Sequence, residues 1–370
     1  MMKIAINASR ARSGGAKAHL KALNNFLMNT NMFELAVMFV PNGTITDYQY
    51  SSSLKVFEIG KDYSNKIKEL WWEYKVLPKV LRELQIDIVL NVDAGTVCPF
   101  EPSVVISQDM LSFEPGEMSR YRFSLSWIRL MVLKHIQLKS LSKADGTIFL
   151  TQYARDVIGR ISKKVITNST VINHGVNPEF FICSTKDNKN KNTIIYVSNY
   201  APYKHHGSII KASKFLKDLG PIKFLFIGGG SRASEVKLKK LIFQNQADNI
   251  EFNFMPFVKN MDLPNLYKQA DLVLFASSCE NMPITLMEGM ATGLPICCSN
   301  RGPMKEVLGD CGDYFDPENP ENIALSIRKI LNDNKQLQSP RARARKWKWE
   351  NTAFKTFNFC IRVCIQRKEK

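Results

Sequence analysis

The chain has 370 residues, 45% of them hydrophobic and 23% charged, with 51 Lys and Arg against 34 Asp and Glu for a net charge of +17. One hydrophobic core stops growing near 250 residues, so two domains are expected, and the ordinary apolar fraction excludes a disordered chain. The charge excess predicts an anionic partner, either nucleic acid, acidic lipid or a phosphorylated substrate.

The first residues, MMKIAINAS, enter strand-like alternation without the apolar run and cleavage site of a signal peptide. That sets the expectation of a cytoplasmic protein. Apolar strands then alternate with amphipathic stretches: KIAIN, a glycine turn, Lys17 to Asn29, LAVMFV, Ile67 to Leu84, IDIVLNV and SVVIS. The rhythm predicts helices packed on a parallel sheet. In the turn, Gly14 and Gly15 open a helix and allow close backbone approach by an anionic ligand; a plain tight turn reads equally well. The GxGxxG pattern of dinucleotide binders is absent, which argues against a dehydrogenase. Trp71, Trp72 and Tyr74 are read as helix core rather than as a sugar platform.

A long helix is expected from about Glu117 to Ser142. The apolar-rich stretch within it, Phe123 to Leu141, is interrupted by Arg129, Lys134, His135 and Lys139, which excludes a spanning segment. Its apolar positions Leu125, Ile128, Val132 and Ile136 recur at helical spacing with basic residues between them. Such a helix either packs one face into the core or lies on an anionic membrane. GTIFL, a helix capped by Thr151 and the strand TVINHGV complete a first domain over residues 1–180.

Residues 181–192, with CSTKDNKNKN, are polar and aperiodic, as in a linker. The alternation restarts over 193–348 with TIIYVS, IKFLFIGGG, NIEFNF, DLVLFAS and PICCS, giving a second doubly wound sheet. The end of the chain, 349–370, reads as a helix that returns to the first domain. The last thirty residues of the chain carry a net charge of +8. No nucleic-acid-binding motif accompanies the charge, so a phosphorylated substrate or membrane headgroups are the expected partners and nucleic acid is not. Eight scattered cysteines without CxxC spacing are read as reduced thiols, and no metal site is expected.

Two similar α/β halves imply a crevice, with ligands beyond the carboxyl ends of the strands. The sharpest signal is SSCENMPITLMEGMATGLPI, directly after DLVLFAS. Glu280 falls in the loop and Glu288 one turn into the next helix, with Pro283 suited to the first turn. Two carboxylates can accept hydrogen bonds from sugar hydroxyls, and the amides between them, around Met282, Ile284 and Thr285, can meet phosphate. Polyol beside phosphate describes a nucleotide sugar. Taken singly, each acid also fits a solvated charge at a helix start.

These residues resemble the family-4 (group 1) retaining glycosyltransferases, whose hallmark is two glutamates separated by seven residues, here ENMPITLME followed by GMATGLP. HGVNPEFF, SNYAPYKHHG, FIGGG, NRGPMKEVLGD and KWKWENTAF are similar to other family segments in the same order, so the resemblance spans nearly the whole chain. It implies two Rossmann-like domains facing a central cleft, the GT-B type, and metal-independent transfer with retention, using a nucleoside-diphosphate sugar as co-substrate and no cofactor. It further implies that Glu288 holds the donor ribose, Lys204 the diphosphate and Glu280 the transferred sugar, with Asn199, Gly14 and Gly15 also lining the donor site. A hexose would pass to a glycan or glycolipid acceptor for surface polysaccharide, at the inner face of the membrane. The chain departs from the family pattern in three places. Ser198 and Asn199 stand where an arginine is usual, Pro283 replaces a glycine, and Gln108 and Asp109 replace a His-Asp pair of which Asp109 is the catalytic candidate. A nucleotide-sugar epimerase and a non-catalytic anion-binding protein on the same scaffold are the competing readings.

Overall fold

A computed structural model describes residues 2–12, 14–63, 65–181, 192–245, 247–332 and 338–369. The chain forms two units, one of Met1–Gly175 with Trp347–Lys370 and one of Val176–Lys346. The expected linker falls mainly on residues 182–191, outside the described residues. The unit boundary lies earlier than the expected 180, because Phe180 is fully buried in the second unit with its ring 6.0 Å from Tyr267.

The first unit holds strands β1 (Lys3–Asn7), β2 (Leu35–Val40), β3 (Leu54–Glu58), β4 (Ile88–Asn91), β5 (Ser103–Ser107), β6 (Gly146–Phe149) and β7 (Ser169–Val171). They form one sheet in the order β3-β2-β1-β4-β5-β6-β7. Every pairing in it is parallel, for example Ile4 with Ala36 on one side and Ile88 on the other. Central strands of such a sheet are covered on both faces, which is why β4, β5 and β6 are buried along their length and read as near-continuous apolar runs.

The second unit holds β8 (Asn192–Val197), β9 (Ile222–Ile227), β10 (Ile250–Met255), β11 (Leu272–Phe275), β12 (Ile296–Ser299) and β13 (Asp313–Phe315). Their order is β10-β9-β8-β11-β12-β13, again all parallel. In this sheet the strand order reverses between β8 and β11. Chain crossovers leave in opposite directions there, so the loops after those two strands diverge and leave room for a ligand.

Two helices differ from their sequence reading. The stretch expected as one helix from Glu117 is a short 3-10 turn, Glu117–Tyr121, followed by a helix at Leu125–Lys143. Phe123 takes φ 60° and Ser124 caps the new helix by accepting from Trp127 N–H, so the chain restarts there. The Leu125–Lys143 helix turns Leu130, Gln137 and Leu141 inward. Leu125, Ile128 and Val132, of the stripe read as either core or membrane-facing, are 86%, 55% and 54% exposed. Of the aromatic trio before it, Trp72 is core, whereas Trp71 and Tyr74 are exposed.

The end of the chain forms a single helix, Trp349–Lys368, within the first unit. It buries Phe357, Cys360, Val363 and Cys364 on one face. It also comes so near β6 that a Cβ on Gly146 would lie 2.7 Å from Val363 Cγ2 and 2.8 Å from Phe359 Cε1.

Candidate active site

The loop after β11 and the helix behind it carry most of the sequence-nominated residues. Pro283 precedes the Ile284–Thr292 helix with φ −77°, and its carbonyl accepts both Leu286 and Met287 N–H at 3.1 Å. The amides of Ile284 and Thr285 are the ones a helix start leaves without an intrahelical partner. Met282 is buried at the root of this turn, and the Thr285 carbonyl accepts from Tyr267 Oη at 3.4 Å.

Glu288 sits one turn into that helix and is 2% exposed. Burial pushes its pKa up to about 7, opposed in part by a hydrogen bond from Asn260 Nδ2 at 2.8 Å. Asn260 is itself held by Asn177, whose Nδ2 donates to Asn260 Oδ1 at 3.0 Å. A buried carboxyl facing one replaceable amide donor suits an exchange with ligand hydroxyls.

Glu280, eight residues earlier in the loop, forms an ion pair with Lys204 Nζ. Both side chains are largely buried, at 17% and 12% exposed. Lys204 ends the Pro202–Lys204 turn that follows β8, so the pair joins the loops after β8 and β11, the two strands at the reversal of the sheet. Asn199, on the same β8 loop, is exposed and its Oδ1 accepts from Ala201 N–H at 3.4 Å.

The glycine turn after β9 backs this site. Gly228 has φ 146°, and a Cβ there would meet the Ser198 carbonyl oxygen at 2.2 Å. Only a glycine lets the β9 loop lie against the backbone of the β8 loop at that point.

Gly14, Gly15 and Asp109 lie in the first unit. Gly14 and Gly15 open the Gly14–Met28 helix at the carboxyl end of β1, and Gly14 is exposed with open space around it. Asp109 follows β5, keeps contact with solvent and accepts from Leu111 N–H at 3.0 Å. Protein packed around it and the Asp93 carboxylate raise its pKa above its ordinary value. Gln108, in contrast, turns inward, 3.1 Å from Nδ1 of buried His19, which stacks on Trp349 at 5.9 Å. Burial lowers the His19 pKa to about 4, so this ring stays neutral.

Sequence reasoning missed Asn260, which sits in VKNMD without any pattern to mark it, and Asn7, Glu73, Asn91 and Thr96 in the first unit. These four form a buried hydrogen-bonded cluster in which Asn7 Nδ2 donates to Glu73 at 2.6 Å and to Asn91 at 2.9 Å, and Thr96 Oγ1 donates to Glu73 at 2.9 Å. Asn7 ends β1 and Asn91 ends β4, and a polar residue closing an otherwise apolar strand was the signal available.

Residues 179–347 match the family model described as glycosyl transferases group 1. That segment covers the Lys204–Glu280 pair, Glu288 and both loops at the sheet reversal. Over that segment the chain is similar to the group 1 glycosyltransferases. The O-antigen chain mannosyltransferase B of Escherichia coli is 26% identical over 168 residues, 44% of this chain and 44% of that protein, so the match spans under half of the relative's length. Among solved structures, sucrose-phosphate synthase from Thermosynechococcus elongatus superposes with a TM-score of 0.78 at 15% identity over 98% of this chain and 99% of that one. HepE of Anabaena, solved in complex with UDP-glucose, superposes with a TM-score of 0.69 at 16% identity over all of both chains. The chain thus shares the two-Rossmann GT-B fold of these structures.

Proposed function

We propose that this chain is a retaining glycosyltransferase that moves a hexose from a nucleoside-diphosphate sugar to a lipid-linked glycan, as a step in building surface polysaccharide. The observation that carries the reading is the buried Lys204–Glu280 pair next to the amide-bearing start of the helix that holds Glu288. When the bond between the anomeric carbon and the diphosphate oxygen breaks, that oxygen keeps the electron pair and gains negative charge. The Lys204 ammonium and the Ile284 and Thr285 amides stabilise this charge more than they stabilise the bound donor. Glu280 holds Lys204 and faces the sugar, and Glu288 accepts the ribose hydroxyls in place of Asn260. The acceptor hydroxyl forms the new bond to the anomeric carbon and loses its proton to the departing diphosphate. Retention and metal independence rest on the family resemblance, and the UDP-glucose held by HepE supports a nucleotide-sugar donor.

A membrane-borne acceptor is supported by the segment Arg120 to Lys143, which holds Arg120, Arg122, Arg129, Lys134, Lys139 and Lys143 and no acidic residue. The same segment exposes Phe123, Leu125, Ile128, Met131 and Val132. Cations around an exposed apolar stripe fit an anionic lipid surface.

Incubation with UDP-, GDP- and ADP-sugars and an undecaprenyl-linked glycan, followed by NMR of the anomeric proton, tests the reading. Transfer with the donor's anomeric configuration is the expected result. An epimerised donor formed without acceptor would replace the transferase reading by an epimerase one.

A further inference from the structure

The residue after Lys204 has an uncommon backbone. His205 takes φ 53°, the left-handed region that side chains with a Cβ seldom enter, and it is 7% exposed. Its ring is tied across to the β11 loop, with Nε2 2.8 Å from Ser278 Oγ. Ser278 in turn donates to the carbonyl of Tyr203, from N–H at 2.9 Å and from Oγ at 3.3 Å. Tyr196 Oη donates to the carbonyl of Lys204 itself at 3.0 Å. The residues on both sides of Lys204 are thus bonded to Ser278, which lies two residues before Glu280.

We propose that His205 is a positioning residue. Its ring, through Ser278, holds the left-handed turn that directs the Lys204 ammonium to Glu280 and to the donor diphosphate. The preceding segment, Ser198 to Pro202, contains no cation, so Lys204 carries more of the diphosphate charge and its placement matters correspondingly more. A glycine at 205 would adopt the same φ without strain but would remove the ring's link to Ser278, leaving the turn held only through the Tyr203 and Lys204 contacts. This inference rests on the reading of Lys204 as the diphosphate ligand.

UDP, GDP and ADP are titrated calorimetrically into the wild type, His205→Gly, Ser278→Ala and the double variant, with thermal unfolding of each measured in parallel. Each single change is expected to weaken the nucleotide that the wild type binds by roughly 3- to 10-fold, the worth of one hydrogen bond. The double variant is expected to be no weaker than the poorer single, because Ser278→Ala already removes the His205 link together with its own bond to Tyr203. The Tm of His205→Gly should stay close to that of the wild type, which separates positioning from unfolding. Unchanged affinity in both singles, or losses that multiply in the double, would overturn the role of His205. If the wild type binds none of the three nucleotides, the donor-site reading fails first and this inference with it.

Discussion

Glu288 is 2% exposed, and burial lifts its pKa from the ordinary 4.5 to about 7, so it exchanges a proton in the neutral range. A carboxyl whose folded pKa is raised contributes its full stability below about 4.5 and loses it as pH rises through about 7. Glu288→Gln keeps the neutral form at all pH values. Urea unfolding should therefore show the variant gaining on the wild type between pH 5 and pH 8, by up to about 3 kcal/mol for the gap between those pKa values. Donor affinity should move the opposite way. The ionised carboxylate is the better acceptor for ribose hydroxyls, so wild-type affinity should rise from pH 6 to pH 8 while that of Glu288→Gln stays flat. A flat wild-type profile would remove Glu288 from the donor site. The pair that placed Glu280 and Glu288 was visible in the chain because seven residues separate them across a proline-started helix. Asn260 was invisible, since its partner is 28 positions away and is set only by the fold.

The Leu125–Lys143 helix exposes Leu125, Ile128, Met131 and Val132 beside basic residues. Its inward residues, Leu130, Gln137 and Leu141, include a glutamine, while Leu125, Ile128 and Val132 face solvent. Periodicity alone could not tell these two stripes apart, because each repeats at helical spacing and only packing selects one. Ile128→Glu with Val132→Glu should abolish co-sedimentation with phosphatidylglycerol vesicles and leave stability within about 0.5 kcal/mol per site, as expected of exposed positions. Equal sedimentation of wild type and variant would exclude this helix as the lipid contact. The Trp349–Lys368 helix makes the contrasting case of an amphipathic element that is well buried. A methyl added at Gly146 enters Val363 and Phe359, so Gly146→Ala should lower stability by about 1–3 kcal/mol, read by chemical denaturation.

At the scale of the molecule, strand and helix rhythm was enough to read two parallel α/β units, because buried parallel strands are apolar throughout and the helices between them are periodic. Rhythm did not place the first boundary, since Phe180 follows the last strand of one unit while its ring is buried in the other. It also did not distinguish a transferase from any other enzyme on such sheets. That distinction came from the family resemblance carried by ENMPITLME and its companion segments, and the fold joins Lys204 and Glu280 of those segments across the strand-order reversal of the second unit. The most direct test is calorimetric titration of UDP-glucose and GDP-mannose into the wild type and Lys204→Ala. The expected result is that the wild type binds one of them and that Lys204→Ala, which leaves Glu280 buried without its cation, weakens binding by at least about 30-fold, or about 2 kcal/mol. Equal affinity in both proteins would contradict it.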